Sequence, residues 1–436
     1  MDWNINSLIH KRFTAFVRER SNNGQIRFTT GILYLIGIPG SGKTYAALEY
    51  CKRNTGSLYF PFRGMDERTA LAVFPHRYPQ IFTEPCSAWE DFFRQLYDYT
   101  VKKRPVIFFD DPGERMDKNV FFDELLKLND RLMENRFGMI VLTGSPWCLV
   151  DIPYFLKIMP GMTPPEIMRM LKGWSAEDVF RLYSLTEGIL ALVREAIGCD
   201  SFDAYLKNAC SPGSVFLRLA PEWTGRCFRS PESYHSLLWG LANGNDRISL
   251  LARFTGYPNN KCEKYLNALQ DAALVIKEKA EGKQPHYSLA FTYLNAWWKI
   301  VFPNRDIPGE NIEGQLIEYV DGKLVPEMLH RKAIEWTKRN VSERSTHTGS
   351  RENVIRKGVL FDYVEKSAEG YILVKAQHHM TADDWPAIEK AAASVAPFWK
   401  VRLVLCAIHP FNDFYWNLNR QYTNLHLVQV KSLGGI

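Results

Sequence analysis

The sequence has no Cys-x-x-Cys pair. Its eight cysteines, Cys51, Cys86, Cys148, Cys199, Cys210, Cys227, Cys262 and Cys406, are scattered over 436 residues. Such spacing supports neither a zinc ribbon nor a disulfide framework, so reduced, mostly buried thiols are expected. Long apolar runs are missing as well. The longest nearly apolar stretch in the first half, Gly31 to Ile38, is far short of the roughly 20 residues that span a bilayer, and no basic start leads into a signal-like apolar core. A cytoplasmic protein with no membrane partner is expected. Low-complexity segments are absent, and 46% apolar and 23% charged residues, with 28 Gly and 23 Pro, is the balance of ordinary globular domains. The length allows about three domains. Neither Gly144-Ser145-Pro146 nor Gly349-Ser350-Arg351 has the form of a nucleophile elbow, which argues against serine-hydrolase chemistry.

The net charge of +6 is modest for this size, but it is unevenly spread. Between Lys323 and Lys357 nine Lys or Arg face four Glu, a local excess of five. A polyanion is one reading of that run, and a solvated face is the other.

The decisive motif lies near the start. Gly31–Gly37 reads as a buried parallel strand, Gly37-Ile-Pro-Gly-Ser-Gly-Lys-Thr44 follows it, and the amphipathic Tyr45–Arg53 comes next. Strand, G-x-x-x-x-G-K-T loop and helix in that order form a phosphate-binding loop. Gly37, Pro39, Gly40, Ser41 and Gly42 let main-chain N–H groups curl round an anion at a helix N-terminus. Lys43 is expected to reach the β- and γ-phosphates of ATP, and the Thr44 hydroxyl to bind Mg²⁺. No Asn-Lys-x-Asp follows the loop, so nothing specifies guanine.

A second buried strand, Pro105–Asp110, ends in Asp110 and Asp111. Asp110 is expected to hold the hydrated magnesium. This resembles P-loop ATPases of the ASCE type, which carry an additional central strand and usually have Glu at the next position to polarise the attacking water. Asp111, one methylene shorter, implies slow or partner-dependent hydrolysis. A third strand, Gly138–Thr143, runs into Gly144-Ser145 and offers Thr143 and Ser145 as sensors of the γ-phosphate or its water. Ligands of open α/β sheets lie beyond the strands' carboxyl ends, so Thr44, Asp110 and Thr143 are expected to converge on one crevice. Arg115, Arg131 and Arg136 are arginine-finger candidates.

Past Val150 the texture turns helical, with Thr163–Lys172 and Ser175–Leu185 opening a helical lid. Three more helices, Tyr234–Gly244, Ile248–Gly256 and Asn259–Leu269, precede two short strands at Ala273–Lys277 and Pro285–Leu289, the order of a winged helix. Its third helix carries Asn259, Asn260, Lys261, Lys264 and Asn267 beside Glu263 and Asp271, a mild surface that suits DNA reading or docking. The aromatic cluster of Phe291, Tyr293, Trp297, Trp298 and Phe302 reads as core.

From the motifs Gly37–Thr44, Phe109-Asp110-Asp111 and Leu142-Thr143-Gly144-Ser145, and from the domain order, the chain resembles the archaeal-type ATPases. Those are STAND- and AAA-related P-loop proteins with a winged helix and a C-terminal DUF234-like domain of the restriction-endonuclease, or PD-(D/E)xK, superfamily. Glu187-Gly188-Ile189-Leu190 stands where that family carries Gly-Gly-x-Pro after its lid.

The resemblance implies an α/β P-loop NTPase domain with a parallel sheet over 1–160, a helical lid over 161–228, a winged-helix domain over 229–304 and a restriction-endonuclease-like domain over 305–436. In the last, Leu324–Lys338 and Asp383–Val395 read as helices, and Val354–Val364, Tyr371–Gln377, Val401–Ile408 and Leu425–Val430 as strands. Asp362 matches the first acid of such nucleases and Lys375 the lysine, but Leu373 stands where the second acid belongs, and leucine cannot ligate magnesium. Glu327, Glu365 or Glu369 are the rescue candidates. An inactive domain is the expectation, with Arg331, Lys332, Lys338, Arg339, Arg344, Arg351, Arg356 and Lys357 able to grip DNA phosphates nonspecifically. The neighbouring His378-His379 pair can present at most one imidazole to any one site.

The sequence therefore points to an ATPase whose nucleotide state sets how its other domains meet DNA or a protein partner. An ATP-regulated metal-dependent nuclease and a non-hydrolysing ATP-binding scaffold are the alternatives.

Overall fold

The computed structural model describes residues 32–103, 105–112, 118–135, 139–145, 155–159, 161–278, 284–307, 311–341, 349–367 and 370–433. Gly31, Arg115, Arg136, Gly138, Cys148, Arg344 and Glu369 lie outside them. The chain divides into two compact units, one of Met1–Pro160, Arg226–Arg229 and Lys264–Val275, the other of Gly161–Gly225, Ser230–Glu263 and Ile276–Ile436.

In the first unit, apolar runs too uniformly buried to alternate form a wholly parallel sheet, as strands covered on both faces do. Its strands are β1 (Ile32–Ile36), β2 (Leu58–Pro61), β3 (Val106–Asp110), β4 (Met139–Gly144) and β5 (Phe155–Ile158), in the order β2-β3-β4-β1-β5. One strand, β4, thus separates the loop strand β1 from the acid strand β3, which is the additional central strand expected. β5 corrects the helical reading of the stretch after Val150: Phe155–Ile158 is drawn into the sheet by parallel pairing with Leu33–Ile36. Helices Lys43–Arg53, Glu67–Arg77, Trp89–Lys103 and Lys118–Asn135 connect the strands. Phe60, Phe74, Trp89, Phe92, Phe109 and Phe121 are all fully buried, with Phe60 stacked on Phe109 at 5.4 Å between ring centroids. This aromatic core makes the strand ends that carry the site a rigid platform.

The second unit opens with helices Pro164–Met170, Ala176–Thr186, Leu190–Glu195 and Phe202–Ala209, followed by Val215–Cys227. Pro221 lies inside that last helix and has no N–H to give to the Leu217 carbonyl. The Trp297 indole N–H supplies it at 3.1 Å. One turn away, the Tyr293 hydroxyl accepts the Ala220 N–H at 3.0 Å and donates to the Phe216 carbonyl at 2.7 Å. Tyr293, Trp297 and Trp298 are buried, in line with the core reading of that cluster.

Along the chain, helices Glu232–Ala242, Ile248–Thr255 and Asn259–Asp271 precede β6 (Val275–Glu278) and β7 (His286–Leu289), which pair as a two-stranded sheet. Gly256, with φ of 73°, caps the middle helix in the left-handed region and starts the turn to the next.

Farther on, helix Val325–Asn340 precedes a five-stranded sheet of β8 (Gly349–Arg356), β9 (Val359–Ser367), β10 (Gly370–Gln377), β11 (Val401–Ala407) and β12 (Leu425–Gln429), in sequence order across the sheet. β8, β9 and β10 are antiparallel neighbours, whereas β10, β11 and β12 run parallel. The single strand expected over Val354–Val364 is instead a hairpin, the end of β8, its turn and most of β9. Lys357 and Gly358 take φ of 50° and 83°, the paired positive values of a two-residue hairpin turn. No helix among the described residues is long and apolar enough to cross a membrane.

Candidate nucleotide site

Every residue of β1 is buried, so the loop that leaves it springs from a fixed base. The Gly37 N–H donates to the Gly144 carbonyl at 3.2 Å and carries the β1–β4 ladder one step into the loop. Gly40 and Gly42 adopt φ of 79° and 96°, values that cost most side chains energy, and Gly42 is the N-cap of helix Lys43–Arg53. Pro39 and Ser41 are buried beneath the loop, and the Ser41 N–H donates to the Ile38 carbonyl at 3.2 Å. The first turn of the helix holds no acid, and its last turn holds Lys52 and Arg53. Its positive end therefore carries no internal carboxylate to compete with a bound anion. Lys43 Nζ arches over the loop, bonded to the Gly37 carbonyl at 2.5 Å and the Ile38 carbonyl at 3.1 Å, with Ser41 Oγ at 3.5 Å. Thr44 is exposed.

The sheet brings the other expected groups to the same edge. Thr143 is in register with Leu35 on β1 and with Asp110 on β3, two residues before Gly37 and at the strand end respectively. Asp110 is only 6% exposed, and both its carboxylate oxygens are engaged. Oδ1 accepts from the Thr143 hydroxyl, and Oδ2 accepts from the Tyr59 hydroxyl at 2.5 Å. Burial, and then the adjacent Asp110 charge, push the Tyr59 phenol far up, so it remains a donor at every physiological pH. Tyr59 sits on a strand that sequence reading did not find, and no local motif marks it.

Asp111 follows in the left-handed region, φ 59°, with its N–H donated to the Thr143 carbonyl at 3.0 Å. Aspartate tolerates this conformation better than most residues, and it turns the chain sharply off the strand. Ser145 is buried at the end of β4. Of the arginine-finger candidates, Arg131 lies over the Tyr97 ring, 5.3 Å from its centroid.

The residues expected to match a nuclease's acids and lysine each have other surroundings. Leu373 is fully buried in an apolar cluster with Phe361, Leu403, Leu405 and Trp385. Asp362 turns its carboxylate to the His330 ring, Oδ1 to Nδ1 3.0 Å, and to the main-chain N–H of Ala376 at 2.6 Å. His330 Nε2 lies 3.7 Å from Glu352. Glu327 is exposed, with Lys323 Nζ 3.9 Å from it, and the buried Glu365 accepts from the Tyr363 hydroxyl at 2.8 Å. Lys375 is half-buried. His330 is a residue that sequence reading missed, although Glu327-Met-Leu-His330 has the Glu-x-x-His spacing that would have flagged it. Among the basic residues, Arg331 pairs with Glu187 at 2.9 Å and Lys332 with Glu335 at 2.7 Å, so neither is open to phosphate without losing a partner. Lys338, Arg339, Arg351, Arg356 and Lys357 are exposed.

No protein-family model matches the chain, and no curated protein matches it. Among solved structures it is similar to a Walker-type ATPase of Pyrococcus abyssi, at 14% identity over 68% of this chain and 96% of that one, with a TM-score of 0.49. It is also similar to a signal-transduction ATPase with numerous domains (STAND) and a tetratricopeptide-repeat sensor from Pyrococcus horikoshii, at 15% identity over 76% of this chain and 51% of that one, TM-score 0.31. The Aeropyrum pernix ORC1 protein, solved in complex with DNA, shares 14% identity over 70% of this chain and 94% of that one, TM-score 0.29. All three scores are low, and what the site can do is read from its own geometry.

Proposed function

We propose that the chain is an ATPase that binds ATP and Mg²⁺ on the Gly37–Thr44 loop and hydrolyses the nucleotide slowly. The observation that carries this reading is the register of β1, β4 and β3. It sets the glycine loop, Thr143 and Asp110 along one sheet edge, with β4 between the loop strand and the acid strand. Main-chain amides at the helix N-terminus and Lys43 neutralise the phosphates, Thr44 and Asp110 hold the metal's shell, and Asp111 orients the water, with Thr143 or Ser145 sensing the γ-phosphate. Phosphoryl transfer needs little covalent help, so positioning and charge supply the catalysis.

Two features support slow turnover. Asp111 is shorter than the usual glutamate, and Asp110 already accepts hydroxyl hydrogen bonds on both oxygens. The second of these also favours the non-hydrolysing scaffold as the alternative reading. Residues 161–228 act as the lid, 229–304 as a winged helix and 305–436 as a restriction-endonuclease-like domain without cutting activity, and the nucleotide state regulates their contact with DNA or a protein partner. The engagement of Asp362 by His330 and the burial of Leu373 support the loss of cutting.

The test is ATP binding and phosphate release by the purified chain, with and without duplex and single-stranded DNA at several salt concentrations. Lys43→Ala should abolish nucleotide binding, and Asp111→Asn should keep binding and lose turnover. Full ATPase activity in Lys43→Ala removes the proposal, and background phosphate release in every condition leaves the scaffold reading.

A further inference from the structure

The parallel neighbours β10 and β11 end level with each other, at Gln377 and Ala407, which are in register. Past those ends the main chains stay together, because the His409 N–H donates to the His378 carbonyl at 3.2 Å. Two imidazoles from separate strands are thereby held side by side, their ring centroids 5.0 Å apart. Facing both is one carboxylate, Glu177, from the first turn of helix Ala176–Thr186. Its Oε1 lies 3.3 Å from His378 Nε2, and its Oε2 lies 3.3 Å from His409 Nε2.

We infer that Glu177, His378 and His409 form a site for a divalent transition-metal ion, with zinc the fitting probe. The donor set is two imidazole nitrogens and one carboxylate, a combination that zinc accepts with its fourth position left to water. The spacing fits as well. Tetrahedral ligands at 2.0–2.1 Å from zinc stand about 3.3–3.4 Å apart, and each histidine nitrogen lies 3.3 Å from its own carboxylate oxygen, His378 from Oε1 and His409 from Oε2. The three ligand atoms all lie within 4.8 Å of one another. Each side chain is partly exposed, 40% for Glu177, 49% for His378 and 37% for His409, so a hydrated ion can reach all three from solvent.

His379 is the built-in control. Its ring lies 5.2 Å from that of His409, yet it does not belong to the cluster. One histidine of the adjacent pair faces the site and the other does not. A bound ion would tie the start of helix Ala176–Thr186 to the carboxyl ends of two sheet strands, and so fasten elements some 200 residues apart in sequence.

The experiment uses the full, untagged chain, stripped with a chelator and titrated with Zn²⁺ in competition with a chromophoric zinc indicator. One equivalent should bind. His378→Ala and His409→Ala should each weaken it by more than the roughly 10- to 100-fold that outer-shell changes cost. Glu177→Gln should also weaken it, and His379→Ala should leave it unchanged. Zn²⁺ should raise the thermal midpoint of the wild type and of His379→Ala, but not of the His378→Ala, His409→Ala double variant. Lack of a one-equivalent site in the wild type overturns the proposal. So does zinc affinity that survives in the double variant, which places the ion elsewhere.

Discussion

Removing the Tyr59 hydroxyl isolates the support beneath the acid of the proposed nucleotide site. Tyr59 and Asp110 are 7% and 6% exposed, so in Tyr59→Phe no bulk water replaces the lost donor at Oδ2. A hydrogen bond to a charged group contributes about 1.5–3 kcal/mol. For a cooperative unit of this size each kcal/mol moves the midpoint by about 2–4 °C, so thermal unfolding should shift down by about 3–12 °C. The assay is differential scanning calorimetry of the full chain. Tyr59→Phe should then be repeated in an Asp110→Asn background, where the acceptor is uncharged. The penalty there should fall, leaving a coupling energy of about 1 kcal/mol or more. A midpoint within about one degree of wild type, or an equal penalty in both backgrounds, refutes the account of Tyr59 as a brace for Asp110.

Gly188→Ala should be severe: at φ of 71° the new Cβ would stand 2.0 Å from the Met162 carbonyl oxygen and 2.6 Å from its nitrogen, both main chain and unable to rotate away. A left-handed alanine and forced overpacking together cost roughly 2–5 kcal/mol, visible as a lower denaturant midpoint. His235, packed against Trp298 at 5.0 Å, has its pKa lowered first by burial. The folded state therefore binds its proton less readily than the unfolded state. Its stabilising contribution is complete above the unfolded value of about 6.5 and is lost as pH falls through the depressed folded value. Denaturation midpoints followed downward from pH 7 should fall less steeply in His235→Gln, and an unchanged slope would discount the residue.

What sequence could disclose follows the range of the forces involved. The loop, Asp110 and Thr143 were legible because a glycine pattern and three buried strands are local signals, and parallel topology then sends their ends to one edge. The three helices and two paired strands from Glu232 to Leu289 were legible from periodicity and from the Gly256 turn. β5 was not, since Phe155–Ile158 becomes a strand only by lying beside β1. The β8–β9 hairpin was read as one strand because its turn places positive φ on Lys357, a residue type that gives no warning of it. Tyr59 beside Asp110, His330 beside Asp362 and Glu177 beside two histidines are meetings of side chains 51, 32 and about 200 residues apart. Only the folded chain makes such pairs neighbours.

The proline in helix Val215–Cys227 bears on how the chain can be divided in the laboratory. A fragment that stops near residue 228 keeps that helix but loses the indole that answers the Leu217 carbonyl and the phenol wedged between Phe216 and Ala220. It would expose an apolar seam with an acceptor left unanswered, a recipe for insolubility. A trimmed version that retains helix Val215–Cys227 therefore has to retain Tyr293 and Trp297 as well.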